Sequence, residues 1–312
     1  VIPCEERGLF LGILRISLTL IGYSFLQISS KILGSEPDFF RFFCVLLLIV
    51  GASFFFPYFL SRAKIPEIKI EKTKGKIGLL SDFTNILRNI DHRIYFKFLA
   101  MWTFITGISG PFLIPFYSTE LGLSSSFCVK LVSANTLGYG FAAFVWGKIV
   151  DGRGSRYVLF ISCSLAVLHM FFLAHIHLFS IQWMKSLLIM LSFLGGVAFS
   201  GQLMGDTTRR MTLSPEKNKL SYFAYVQVFG AQIPLVIASP LAGYLIQRNR
   251  GFHAGIYGIY QTVMIIAGLF YLVLLHTIIR MRPLKEKPIL ELLKDSMTEG
   301  LMKIRDIIAS PP

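Results

Sequence analysis

The sequence predicts an all-α, polytopic membrane protein with about eight transmembrane helices. Three observations predict it. Of 312 residues, 54% are hydrophobic and only 15% are charged, against about 25% charged in an ordinary soluble domain. Eight apolar stretches each approach the roughly 20 residues that a bilayer crossing needs. The basic residues fall on alternate connections, as expected when cytoplasmic loops carry the excess of Lys and Arg.

The stretches are 9–29, 39–59, 96–117, 128–146, 157–178, 187–204, 222–246 and 256–279. One side of the membrane collects Arg7, the basic residues of 62–97, Lys148, Arg153, Arg156, Arg209, Arg210, Lys217, Lys219 and those of 280–305. That is most of the 31 Lys and Arg. The other side has Lys31, Arg41, Lys130, Lys185, Arg248 and Arg250. Both termini and the long 62–94 connection are therefore expected in the cytoplasm. The net charge of +14 would by itself admit a nucleic-acid binder. Its sorting by side points instead to a lipid bilayer as partner, with no nucleic acid.

The first stretch carries Arg15 about two turns inside. Glu5 and Glu6 precede it, where a signal peptide would have a basic region, and it runs too long for one. The 62–94 loop is the one long polar connection; it has a charged run at 69–76 and an amphipathic pattern at 79–90. Gly107, Gly110, Pro111 and Pro115 are expected to interrupt the third stretch. Pro234 and Pro240 do the same in the seventh. The tail after Pro283 spaces Leu290, Leu293, Met297, Leu301 and Ile304 as a short cytoplasmic or interfacial helix would. Cys4, Cys44, Cys128 and Cys163 have neither metal nor disulfide spacing. They read as small apolar packing residues.

The fourth and fifth stretches are joined by Gly147 to Arg156, reading GKIVDGRGSR. So short a join makes the pair an antiparallel hairpin, and Gly152 and Gly154 tolerate positive φ in its turn. The pattern G-x-x-x-D-x-x-G-x-R resembles the signature loop of the major facilitator superfamily of secondary transporters, usually G-x-x-x-D-R-x-G-R-R. Gly147, Asp151, Gly154 and Arg156 match. Gly152 and Ser155 stand where a basic residue is usual, and Arg153 is shifted by one place.

The resemblance implies two six-helix halves related by an axis along the membrane normal. Residues 95–282 would be the C-terminal half, family helices seven to twelve. Residues 1–61 would be helices five and six, 62–94 the loop between halves and 283–312 a cytoplasmic tail. Four further N-terminal helices are then expected beyond this sequence. The signature loop, Gly147, Asp151, Arg153, Gly154 and Arg156, would act as a conformational latch. Its Asp151 would meet the N-terminus of the first span near Arg7 and Gly8, where the helix dipole favours a carboxylate. An ordinary turn with local ion pairs is the plainer alternative. A bacterial inner membrane is the expected location.

No enzyme constellation is present: no Gly-rich phosphate loop with a following Lys, no paired metal ligands, no nucleophile elbow. No cofactor or metal is expected. His175 and His177 are two apart, on different helix faces, and read as interfacial; His169 and His276 read as packed or snorkelling. None of the 17 acids falls mid-span, so the intramembrane carboxylate relay common in proton-driven carriers is not seen. For Arg15 two readings are open: its stem lets it snorkel to the membrane face, or it faces a central cavity and attracts an anionic solute.

The neutral polar candidates for a solute pathway are Thr103 and Thr106, one turn apart, Asn135 and Tyr139, Gln202 near the cytoplasmic end of its span, and Tyr225, Gln227 and Gln232. By the resemblance, their spans face the cavity; helix packing is the alternative for each. Gly195 and Gly196 read as close-packing positions. The expected function is a secondary transporter moving a small solute by alternating access. The alternative is a truncated, non-transporting remnant, scaffold or sensor.

Overall fold

The computed structural model describes residues 84, 86–215, 219–249, 251, 253–254 and 257–283. The first two apolar stretches with Arg15, most of the 62–94 loop (62–83 and 85) and the tail lie outside the described residues.

Six helices are long and apolar enough to cross a membrane: α1 Ile90–Glu120, α2 Ser125–Arg153, α3 Ser155–Ala174, α4 Trp183–Leu213, α5 Ser221–Arg248 and α6 Ile259–Arg280. They coincide with the third to eighth predicted stretches; α1, α2, α4 and α5 run beyond them at both ends, whereas α3 stops at Ala174 and α6 starts at Ile259, inside the predicted limits. At 1.5 Å per residue the 31 residues of α4 extend about 46 Å, past a hydrocarbon core of about 30 Å. The connections are short. Gly122, with φ 60°, turns α1 into α2, and Gly154, with φ 88°, alone separates α2 from α3. A 3-10 turn, Ile176–Leu178, leads to α4. Two paired antiparallel strands, β1 His253–Ala254 and β2 Tyr257–Gly258, precede α6.

Proline does not break α1. The rod continues as a 3-10 turn at Gly110–Phe112, one α-turn at Leu113–Pro115 and a π segment at Phe116–Glu120. Pro111 has no N–H for the carbonyl one turn back, that of Gly107. Ser239 of α5 supplies the missing donor, Oγ to Gly107 O at 3.1 Å. The reverse happens in α5, where a π segment, Val226–Gln232, precedes Pro234. Pro234 cannot serve Gly230 O, and the Thr103 hydroxyl of α1 lies 3.2 Å from it, sharing its one proton with Leu99 O at 2.8 Å and Ala100 O at 3.2 Å. Small residues allow this approach: a Cβ on Gly107 would come within 2.7 Å of Ala238 Cβ, and one on Gly230 within 2.7 Å of Leu99 Cδ2.

The α2–α4 contact is closer still. A Cβ on Gly138 would run into the carbonyl of Phe193, and one on Gly196 into that of Asn135. Farther along α4, Gly201 faces Ser162 and Trp146, and Gly205 faces Leu159. Glycine here substitutes backbone contact for side-chain packing, as membrane helices commonly do. The expectation for Gly195 and Gly196 therefore matches their surroundings.

The main apolar cluster joins α1, α3, α5 and α6 through Leu99, Leu159, Met170, Val226 and Leu274. Outward-facing apolar side chains are left uncovered, among them Phe141, Leu168, Val236 and Leu272. Such a surface suits a lipid solvent and not water. The protein is an integral, multi-pass membrane protein.

Candidate functional site

Two polar regions stand out in this apolar bundle. The first is at the end where α1 begins and α2, α4 and α6 finish. Only Gly154 in the GKIVDGRGSR segment has positive φ; Gly152, expected to share that role, is in the last helical turn of α2. Gly147 is buried against the bundle and Asp151 is exposed on that final turn. Arg153 leans back to Tyr157, Nη1 donating to its hydroxyl at 3.3 Å.

Arg156 turns inward. Its Nε donates to Ile278 O at 3.2 Å and its Nη2 to Ile279 O. Arg209 of α4 is fully buried and its Nη2 donates to Arg282 O at 2.7 Å. The last carbonyls of a helix have no partners of their own and carry its negative dipole end. Arg156 therefore holds the last carbonyls of α6, and Arg209 holds the chain just beyond its end. Arg156 serves its own bundle, and Asp151 is exposed on the last turn of α2. The partner expected for Asp151, the start of the first span, lies outside the described residues.

Beside this clamp is an ion pair. Asp206, 3% exposed, accepts from Tyr95 of α1 at 2.6 Å and from Arg210 at 2.7 Å. Arg210 also reaches Tyr95 Oη at 3.3 Å and Gln227 of α5 at 3.1 Å. The Asp206–Arg210 pair thus ties α4 to α1 and α5. Nearby, His92 and Tyr222 meet at 3.2 Å. The sequence held a signal for the pair, an Asp and an Arg four residues apart on one helix face. It held none for Tyr95.

The second region is a cavity of about 200 Å³ inside the bundle, lined by Thr106, Asn135, His169, Gln202 and Tyr271 among others. Gln202 is buried and its Oε1 accepts from Trp102 Nε1 at 2.8 Å. Gln202 is about 16 Å from the end of α4, which runs on to Leu213. Asn135 donates Nδ2 to Ser192 O at 3.1 Å, and Thr106 donates to Trp102 O at 2.9 Å. Gly195 makes room for the imidazole of His169, since a Cβ there would be 3.0 Å from Nε2.

Of the pathway candidates, Thr106, Asn135 and Gln202 line this cavity. Tyr139 lies next to it, its ring 6.1 Å from that of the lining residue Phe199. Thr103 belongs instead to the α1–α5 seam. Tyr225 is buried and Gln227 is bound to Arg210, both toward the clamp end of α5, while Gln232 is exposed in the π segment. Sequence reasoning missed His169 and Tyr271 as cavity residues. The signal for His169 was available, as it is an ionisable residue inside α3, five residues from its end. Among the described residues, no three potential metal ligands come together.

Residues 98–309 match the family model described as Major Facilitator Superfamily. Neither a curated protein nor a solved structure matches the chain.

Proposed function

The chain belongs to the Major Facilitator Superfamily, and from this premise we propose that it is a secondary carrier moving a small solute by alternating access. The observation that carries the proposal is the family match over 98–309, which spans the helices enclosing the polar cavity. In this reading residues 95–282 are the C-terminal half of the carrier and 1–61 part of the N-terminal half. The 62–94 loop joins them and 283–312 is a cytoplasmic tail.

The clamp end, with Arg153, Arg156, Arg209, Arg210, Arg280 and Arg282, is the cytoplasmic side, because Lys and Arg accumulate there. A bacterial inner membrane is the proposed location. Asp151, exposed on the last turn of α2, is the moving part of the latch, and Gly154 sets the turn that presents it. Thr106, Asn135 and Gln202 lie on the solute path, and Arg15 approaches it from the N-terminal half.

Uptake is the test. The full-length protein is reconstituted in liposomes and offered radiolabelled neutral and anionic solutes, with and without ion gradients. Saturable uptake of one class is expected, and Arg15→Ala should abolish it if the solute is anionic. Properly folded protein that neither binds nor accumulates any solute would favour the non-transporting reading.

A further inference from the structure

Four cationic or potentially cationic side chains converge where α1 begins and α6 ends. Arg93 and Lys97 are one turn apart on α1, His276 and Arg280 one turn apart on α6, so each pair shares a helix face. Together with Ile90, Ile94 and Thr277 they line a groove of about 520 Å³. All four are exposed. Among the described residues, the side chains of Arg93, Lys97 and Arg280 have no ion pair or hydrogen bond. Carboxylates at this end are engaged elsewhere: Asp206 by Arg210 and Tyr95, and Asp91 opposite Arg282 at 3.7 Å.

The same helix faces continue into a different chemistry. From Lys97 the exposed face of α1 leads to Ala100, Met101 and Phe104. From Thr277, which also lines the first groove, the face of α6 leads back to Phe270 two turns away. With Ile233 and Ile237 of α5 they line a second groove of about 350 Å³, whose lining residues are all apolar. Lys97 and Phe104 are about 10 Å apart along the helix. Ile233, Ile237 and Phe270 remain 43%, 57% and 38% exposed, so the groove opens outward toward the bilayer.

We propose that this composite groove is a binding site for an anionic phospholipid, its phosphate among Arg93, Lys97 and Arg280 and an acyl chain along the α1–α5–α6 seam. The basic pocket alone would suit any phosphate. The apolar groove directly beneath it, at membrane depth, suits only a phosphate that carries a hydrocarbon chain. Basic pockets between helices at a membrane face are a recognised form of lipid headgroup site. The surface would then be covered in the membrane, its cations neutralised by the bound lipid.

The experiment uses the full chain, reconstituted in vesicles of equal phosphatidylglycerol and phosphatidylcholine, then released into detergent and weighed with its bound lipid by native mass spectrometry. Selective retention of phosphatidylglycerol is expected. In Arg93→Gln/Lys97→Gln/Arg280→Gln the preference should fall by about tenfold or more. Arg93→Lys/Arg280→Lys keeps the charge and should keep the preference, which separates loss of the site from loss of the fold. Lys130→Gln/Lys185→Gln, at the opposite end, should change nothing. Ala100→Trp, which fills the apolar groove, should lower retention with all three cations intact. Equal retention of both lipids, or undiminished preference in the triple variant, overturns the proposal. Displacement of the lipid by excess inorganic phosphate also overturns it, because the site would then be one for free phosphate.

Discussion

Ser239 on α5 donates its hydroxyl proton to the carbonyl of Gly107 on α1, 3.1 Å away, and that carbonyl is available because Pro111 has no N–H to give it. Thr103 approaches Gly230 O, which Pro234 leaves without its helical donor, to 3.2 Å, sharing its proton with Leu99 O at 2.8 Å in its own helix. Hydrogen bonds between membrane helices contribute about 0.6 kcal/mol on average and up to about 1.7 kcal/mol. Ser239→Ala and Thr103→Val should each destabilise the bundle within that range. Pro234→Ala returns a donor to Gly230 O, so Thr103→Val should cost less in that background. A double-mutant cycle by detergent unfolding measures the difference; equal costs in both backgrounds would refute the link.

Asp206 and Arg210 form a buried pair, with side chains 4% and 15% exposed. Removing one partner of such a pair leaves a charge without compensation and costs about 3–5 kcal/mol. Asp206→Asn should therefore lower stability far more than Tyr95→Phe, for which about 1–2 kcal/mol is expected. The two should be strongly non-additive, since Tyr95 bonds both members. Additive losses in thermal or detergent unfolding would show that the three side chains do not work as a unit.

Arg156 serves the α6 carbonyls of Ile278 and Ile279 from two nitrogens. A lysine has a single ammonium and cannot reproduce the fork. Arg156→Lys should give partial loss and Arg156→Ala fuller loss, about 2–4 kcal/mol in total for charged donors to a helix end. Hydrogen exchange should report the damage in the last turns of α6. A change confined to α2 and α3 would contradict the placement.

The glycines of α4 provide a steric test. A Cβ on Gly196 meets the Asn135 carbonyl and the Tyr139 amide, so Gly196→Ala must push α2 from α4. We expect a loss above about 3 kcal/mol. Gly152→Ala meets nothing within 4 Å and lies in a helix, where alanine is better by up to about 1 kcal/mol. It should be neutral or stabilising. Similar effects at the two positions, in a thermal melt, would show that the α2–α4 distance is not set by backbone contact.

Asp151 is exposed on the α2 side of the turn while Arg156 is anchored within the bundle. Asp151→Asn should shift the balance of inward-open and outward-open forms, read by cysteine accessibility from each side. Unchanged populations would remove the latch.

The spans were legible because a bilayer imposes length and apolarity residue by residue. The hairpin at Gly154 was legible because a turn of one residue needs positive φ. Continuity of α1 through Pro111 and Pro115 was not, because the donor that makes Pro111 tolerable is Ser239, over a hundred residues away. The same limit hid the cavity. Thr103 and Thr106 look equivalent on a helical wheel; Gly230 takes one, and the space facing Gln202 and His169 takes the other. Asp206 and Arg210 were visible as neighbours, but nothing local indicated that Tyr95 and Gln227 complete their coordination.

The single-residue join at Gly154 leaves no slack between α2 and α3. Any tilt of α2 away from the membrane normal has to be taken up by α3 at once. Through Arg156 the same displacement reaches the far end of α6. A push delivered at Asp151 would thus be felt across the width of the bundle, as at the short arm of a lever.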